Sequence, residues 1–154
     1  MTLSIRSTAW QNGGRIPVKF TADGEDRSPP LAFEGVPPGT RAFALVCDDP
    51  DAPMGTWVHW VLYDIPSTAT GIAEGVPSQP RLADGSRHGK NSWNRVGYGG
   101  PSPPGHNPHR YFFRLYALRE PIGSEPGLTA KDVANAIRDR VIDSAEFMGT
   151  YGRS

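Results

Sequence analysis

Four histidines, a run of aspartates and one tyrosine are the side chains in this sequence best suited to chemistry, and most of them fall in three short stretches. The first is Asp48-Asp49-Pro50-Asp51-Ala52-Pro53. The second is Gly55-Thr56-Trp57-Val58-His59-Trp60. The third runs from Gly97 to Phe113, GYGGPSPPGHNPHRYFF, and holds Ser102, Pro103, His106, His109, Arg110 and Tyr111. Imidazolium, phenol and the backbone N–H groups of a glycine-proline loop are together the donors that an oxyanion needs. The set points to a small anion site, for phosphate or carboxylate. An aspartate beside an anion repels it unless it orients a histidine, shares a proton or meets an ammonium on the ligand. A zwitterionic head group such as phosphoethanolamine fits the last case.

Each candidate also has a plainer reading. The aspartates can cap backbone donors in a strand-to-loop turn. They do not form a calcium loop, because two prolines intervene and the glycine and distal glutamate of such a loop are missing. His59 lies in an apolar run, where a histidine is commonly a hydrogen-bonded core residue. It could equally pair with an aspartate, which would fix its tautomer. His106 and His109 form H-x-x-H, but Asn107-Pro108 makes the segment a loop with no cysteine or glutamate beside it, so no metal is expected. Ser102 lacks the G-x-S-x-G elbow of a nucleophile. No phosphate-cradling glycine motif occurs, and no cofactor is expected.

Composition narrows the class. One chain of 154 residues is expected to form one domain, residues 1–154. The formal net charge is zero, which argues against a nucleic-acid partner. Cys47, the single cysteine, sits in an apolar run and reads as buried and inert. No apolar stretch is long enough for a transmembrane segment, and the first residues lack the apolar core of a signal peptide, so a cytoplasmic protein is expected.

The elements that must position these residues are mostly strands. Leu3 and Ile5 alternate with polar neighbours, and so do the residues from Ile16 to Phe20. A brief strand is expected at Leu31 to Phe33, and central strands at Arg41–Cys47, Trp57–Ile65 and Tyr111–Leu118. Strict alternation puts His59 on the face of Trp57 and Val61, and turns Arg110 away from His109 and Tyr111 toward a structural ion pair. The region from Pro66 to Gly97 reads as loops with short strands at most. Thr129-x-x-Asp132 resembles a capping box opening the one helix, with Val133, Ala136, Ile137 and Val141 as its apolar stripe. The closing segment AEFMGTYGRS reads as a short tail that either packs or frays. The fold expected is a mostly β, two-sheet antiparallel sandwich-like domain with a C-terminal α-helix closing one end or edge.

The ordered blocks DDPDAP, GTWVHW and GYGGPSPPGHNPHRYFF, with DGEDRSPPLAFEGVPPGTRAFAL before them, resemble the phosphatidylethanolamine-binding protein family. The likeness is to its bacterial and archaeal, Raf-kinase-inhibitor-like branch, and it spans nearly the whole chain. The resemblance implies a ligand pocket formed by Asp49, Asp51, His59, Ser102, Pro103, His109 and Tyr111, and a cis peptide at Ala52-Pro53. It also implies a non-enzymatic binding protein for a small anionic ligand, in which Asp49 orients His59. Relatives in this branch include dimers, so a homodimer is an open assembly. Two other functions stay open: acid–base catalysis on a small substrate by the same residues, and a protease- or kinase-inhibiting interaction module using surface loops such as Arg81 to Trp93. Ser102 stands where bacterial relatives often carry cysteine, so thiol chemistry is not expected there.

Overall fold

The structure, a computed structural model, describes residues 2–153. Eight strands form two antiparallel sheets. The smaller contains β1 (Ser4–Arg6), β2 (Leu31–Glu34) and β5 (Gly71–Ile72), in the order β1-β2-β5. The larger contains β3 (Ala42–Asp49), β4 (Trp57–Pro66), β6 (Arg87–His88), β7 (His109–Leu118) and β8 (Val141–Tyr151), in the order β6-β4-β3-β7-β8. The one α-helix among the described residues, α1 (Ala130–Ile137), precedes β8.

The alternation of the long strands explains the layers. On β3, Phe43, Leu45 and Cys47 point into the space between the sheets, and Ala44 points out. On β7, Tyr111, Phe113, Leu115 and Ala117 point inward. Period-two patterning thus fills one core from both sheets. That core is aromatic at its centre. Trp10 lies 5.8 Å from Phe113 and 5.2 Å from Phe147 between ring centroids, and Phe33 lies 5.2 Å from Phe43. The helix does not close an end. It lies on the outer face of the larger sheet, where Val133 and Ile137 pack on Ala44, Val61, Tyr63 and Leu118. Its start is the capping box expected at Thr129 and Asp132, each side chain accepting from the other residue's backbone N–H.

Three local expectations are corrected. Ile16 to Phe20 is not a strand. Pro17, with φ −58°, leads into a 3-10 turn at Val18–Phe20 that buries Phe20. The helix stops at Ile137, and Val141 opens β8, so the helix is not the last element. The closing segment is not a short tail but supplies the greater part of this eleven-residue strand, whose Phe147 and Tyr151 reach the core. Its outer edge is partly covered, because Ile16 donates to the Thr150 carbonyl at 2.8 Å and Thr150 donates to the Gly14 carbonyl at 2.8 Å. All peptide bonds of the described residues are trans, including Ala52-Pro53. That turn is closed instead by the Gly55 N–H donating to the Ala52 carbonyl at 3.1 Å.

No helix among the described residues is long and apolar enough to cross a membrane.

Candidate functional site

Backbone pleating divides the aspartate run before any ligand is considered. Asp49 continues the inward series of Phe43, Leu45 and Cys47 and is buried. Asp48 faces outward, where Arg114 donates to its two oxygens at 3.0 and 3.2 Å. Asp51, past the strand end, is gripped by Arg110 through the backbone N–H at 2.9 Å, Nε at 2.9 Å and Nη2 at 2.8 Å. The Arg110 fork holds the Asp51 carboxyl down to about 2. Asp51, expected in the pocket, therefore lies in an outer ion pair, and Arg110 faces away from Tyr111 as alternation requires. One carboxylate, that of Asp49, remains inside.

His59 reaches the same space because β4 breaks step. Cys47 pairs with Trp60, but the next residue, Asp48, pairs with Val58, so His59 is the extra residue of a β-bulge. Trp60 packs in the core between the sheets and Val61 on the helix side, and the bulge lets His59 turn inward as well. Strict alternation had put it with Val61. The bulged residue is held by a reciprocal pair with the loop. Its Nδ1 donates to the Gly99 carbonyl at 2.7 Å, and the Gly99 N–H donates to the His59 carbonyl at 3.0 Å.

Asp49 does not orient His59. Its Oδ2 accepts from Nδ1 of His109 at 2.7 Å, and its Oδ1 accepts from the Asp51 N–H at 2.8 Å. The reason is topological: β7 is hydrogen-bonded to β3, which sets His109 beside Asp49, while the loop carbonyl has already taken the His59 nitrogen. Both imidazoles are therefore tied through Nδ1, and Nε2 of neither has a hydrogen-bond partner among the described residues. A carbonyl can only accept, so Nδ1 of His59 carries the proton.

Tyr111 stands between the two rings. Its ring centroid is 5.1 Å from that of His59, edge-on, and 6.5 Å from that of His109, stacked. Its hydroxyl is buried and has no hydrogen-bond partner among the described residues. Burial first, and the Asp49 charge second, drive the Tyr111 phenol far up, so it stays protonated and can donate. Burial also pushes the His59 imidazole down, partly offset by the Gly99 carbonyl and by Asp49. Unliganded His59 is neutral at pH 7.

These groups line a cavity of about 270 Å³. Six of the seven expected residues contribute: Asp49, His59, Ser102, Pro103, His109 and Tyr111. The rest of the wall is apolar and comes from Ala52, Pro53, Met54, Trp57, Trp93 and Pro104. Trp93, which the sequence offered only as the end of a candidate surface loop from Arg81, lines the cavity instead. Its ring lies 5.5 Å from Trp57 and 5.1 Å from His59, in edge-to-face contacts. A tryptophan inside an otherwise polar, turn-rich segment was the signal available. The Ser102 hydroxyl accepts from Arg153 at 3.2 Å, a residue not singled out in the sequence. His106 does not converge with His109; it is exposed, and its Nδ1 lies 3.2 Å from the Arg153 carbonyl. Among the described residues no three His, Cys, Asp or Glu side chains gather to hold a metal. The Cys47 thiol is buried, and that burial pushes it well up.

Known proteins repeat this sequence and shape. The sequence profile described as Phosphatidylethanolamine-binding protein matches residues 6–152. A UPF0098 protein of Methanothermobacter thermautotrophicus is 46% identical over 98% of this chain and 99% of its own length. A UPF0098 protein of Aquifex aeolicus is 45% identical over 98% of this chain and 89% of its own. Among solved structures, a Chlamydia trachomatis protein described as a homologue of phosphatidylethanolamine-binding proteins superposes with TM-score 0.91 at 33% identity, covering 99% of both chains. YbcL of E. coli, described as a member of the mammalian family, gives TM-score 0.90 at 28% identity over the full length of both. A match running through nearly every element, with the two-sheet architecture repeated in the solved relatives, leaves one assignment: the chain belongs to the phosphatidylethanolamine-binding protein family.

Proposed function

We propose that this protein is a non-enzymatic binding protein for a small phosphate- or carboxylate-bearing ligand, whose anionic head sits between His59, His109 and Tyr111. The observation that carries the reading is the Tyr111 hydroxyl, buried in the cavity wall without a partner. A buried donor left unsatisfied costs about 1–3 kcal/mol, and an oxyanion accepting from it removes that cost. Nε2 of the two imidazoles adds polar surface beside the Asp49 carboxylate and the Ser102 hydroxyl. Neutral, each Nε2 can only accept, so it takes a hydrogen from a protonated phosphate or becomes a donor by binding a proton itself. The apolar walls at Trp57, Trp93 and Met54 suit a short organic group attached to the head, as in phosphoethanolamine. Binding is preferred over turnover because the Ser102 hydroxyl is engaged by Arg153 and not by an imidazole.

The test is calorimetric titration at pH 6 with phosphate, phosphoethanolamine and acetate, using wild type and His59→Ala. Saturable binding lost in the variant is expected, and the ligand ranking separates phosphate from carboxylate. Because binding takes up protons, affinity is expected to fall as pH rises through the histidine range, about 6.5 before any shift. Affinity that stays flat from pH 5 to 9 would exclude the imidazoles as charged donors.

A further inference from the structure

We infer that Arg153 is the positioning residue of the cavity rim, a latch that fixes Ser102 and Pro103 where the anion's surroundings are built. The inference rests on the reading of the cavity as an anion site. The glycine-proline loop has two halves with different support. Its first half is tied to the segment around Phe20: the Tyr98 hydroxyl donates to the Phe20 carbonyl at 2.7 Å, Gly100 N–H to Asp26 at 2.7 Å, and Ala22 N–H to the Pro101 carbonyl at 2.9 Å. Its second half, residues 102–107, has no such ties. Every hydrogen bond found for it among the described residues leads to Arg153. The guanidinium donates from Nη1 to the Pro103 carbonyl at 2.8 Å and from Nη2 to the Ser102 hydroxyl at 3.2 Å. The Arg153 carbonyl faces Nδ1 of His106 at 3.2 Å.

The latch is itself anchored. Asp23 accepts from Nε of Arg153 at 2.9 Å and from Nη2 at 2.9 Å, and also from the Tyr151 hydroxyl at 2.7 Å. The planar fork is thus oriented on one side by a carboxylate and presented on the other to the loop. Lysine can supply that charge but not that geometry. Arg153 sits directly beyond β8, and β8 pairs His109 with Tyr151. The strand that carries the cavity's imidazole and the residue that carries its rim are therefore held in one register. Residues 102–107 contain two prolines and one glycine at φ 71°, so the loop is stiff in itself and is set as a unit by whatever grips it.

Two measurements on wild type, Arg153→Ala, Arg153→Lys and Asp23→Asn test this: backbone ¹⁵N relaxation, and calorimetric titration with inorganic phosphate at pH 6. In wild type, Gly105 and His106 are expected to be as ordered as β7. In Arg153→Ala and Arg153→Lys they should lose order while β3 and β7 keep theirs, with Asp23→Asn in between. Phosphate affinity should fall severalfold in both Arg153 variants, because the Ser102–Pro103 rim is no longer fixed. Arg153→Lys binding phosphate like wild type would overturn the proposal, since charge without the fork would then suffice. Unchanged order in Arg153→Ala, or a rim already mobile in wild type, would overturn it too. A wild type that binds no phosphate overturns the anion reading instead, and the relaxation data on the same samples still decide the latch.

Discussion

Tyr111, His109 and Asp49 form the most constrained group in the cavity, and each can be tested by changing one atom's role. Tyr111→Phe removes a hydroxyl that has no protein partner, so unliganded stability should stay the same or rise. Phosphate affinity should fall about tenfold in the same variant. Thermal unfolding and calorimetry on one sample read both signs, and a loss of stability would mean that the hydroxyl has a structural partner. Asp49→Asn keeps the shape but removes the charge that holds Nδ1–H of His109. The His109 ring should then be oriented less firmly, and phosphate affinity measured by calorimetry should fall. His88 is a useful contrast, because it is equally buried yet lies outside the cavity. Its Nδ1 donates to the Gln79 carbonyl at 2.7 Å and its Nε2 accepts from Trp60 at 3.0 Å, so both nitrogens are satisfied. Both nitrogens of His88 are thus spent on the fold, whereas Nε2 of His59 and of His109 has no hydrogen-bond partner among the described residues.

At the level of strands and loops, the site depends on two departures from regularity. The bulge at His59 turns the imidazole inward, and Gly99 lets the Trp93 ring lie against the loop that holds it. A Cβ on Gly99 would come within 2.4 Å of that ring. Gly99→Ala should therefore displace Trp93 or the loop, destabilise the fold by about 1–3 kcal/mol and weaken phosphate binding. Unfolding followed by tryptophan fluorescence checks the first effect. These two features also mark what could be read in the sequence. Alternation indicated the outward turn of Arg110 from His109 and Tyr111, while Asp49, His109 and Tyr111 were legible as pocket residues only through the family resemblance. Alternation could not reveal an inserted residue in β4, because a bulge is defined by the partner strand and not by the strand's own pattern. The Asp49–His109 pair was missed for a related reason. Proximity along the chain favoured His59, while hydrogen bonding between β3 and β7 favoured His109. The last strand was missed because Gly149 and the polar residues between Ala145 and Tyr151 weaken its alternation, and its stability comes from pairing with β7.

For the molecule as a whole, two buried neutral histidines make stability depend on pH. Burial pushes both His59 and His88 down. Below about 6.5 the unfolded chain binds protons that the folded one resists, so unfolding takes up protons and stability falls with pH. The contribution of the neutral rings is complete above the unfolded value and is lost as pH drops through that value toward the lowered folded ones. Melting temperature without ligand should therefore decline from pH 7.5 to pH 5. Phosphate acts with the opposite sign, because the liganded site takes up protons. Its stabilising increment should grow as pH falls, and an increment independent of pH would separate ligand binding from the histidines.

The central claim is that Nε2 of His59 and of His109 meets the ligand. Imidazole ¹⁵N NMR of the protein at pH 6.5, titrated with phosphate, tests it most directly. Nε2 of His59 should begin as an acceptor without a proton and move toward the protonated, donating form as phosphate saturates, the Nε2 resonance of His109 should shift with it, and His88 should stay unchanged. Saturation by phosphate with His59 and His109 unaltered would contradict the account.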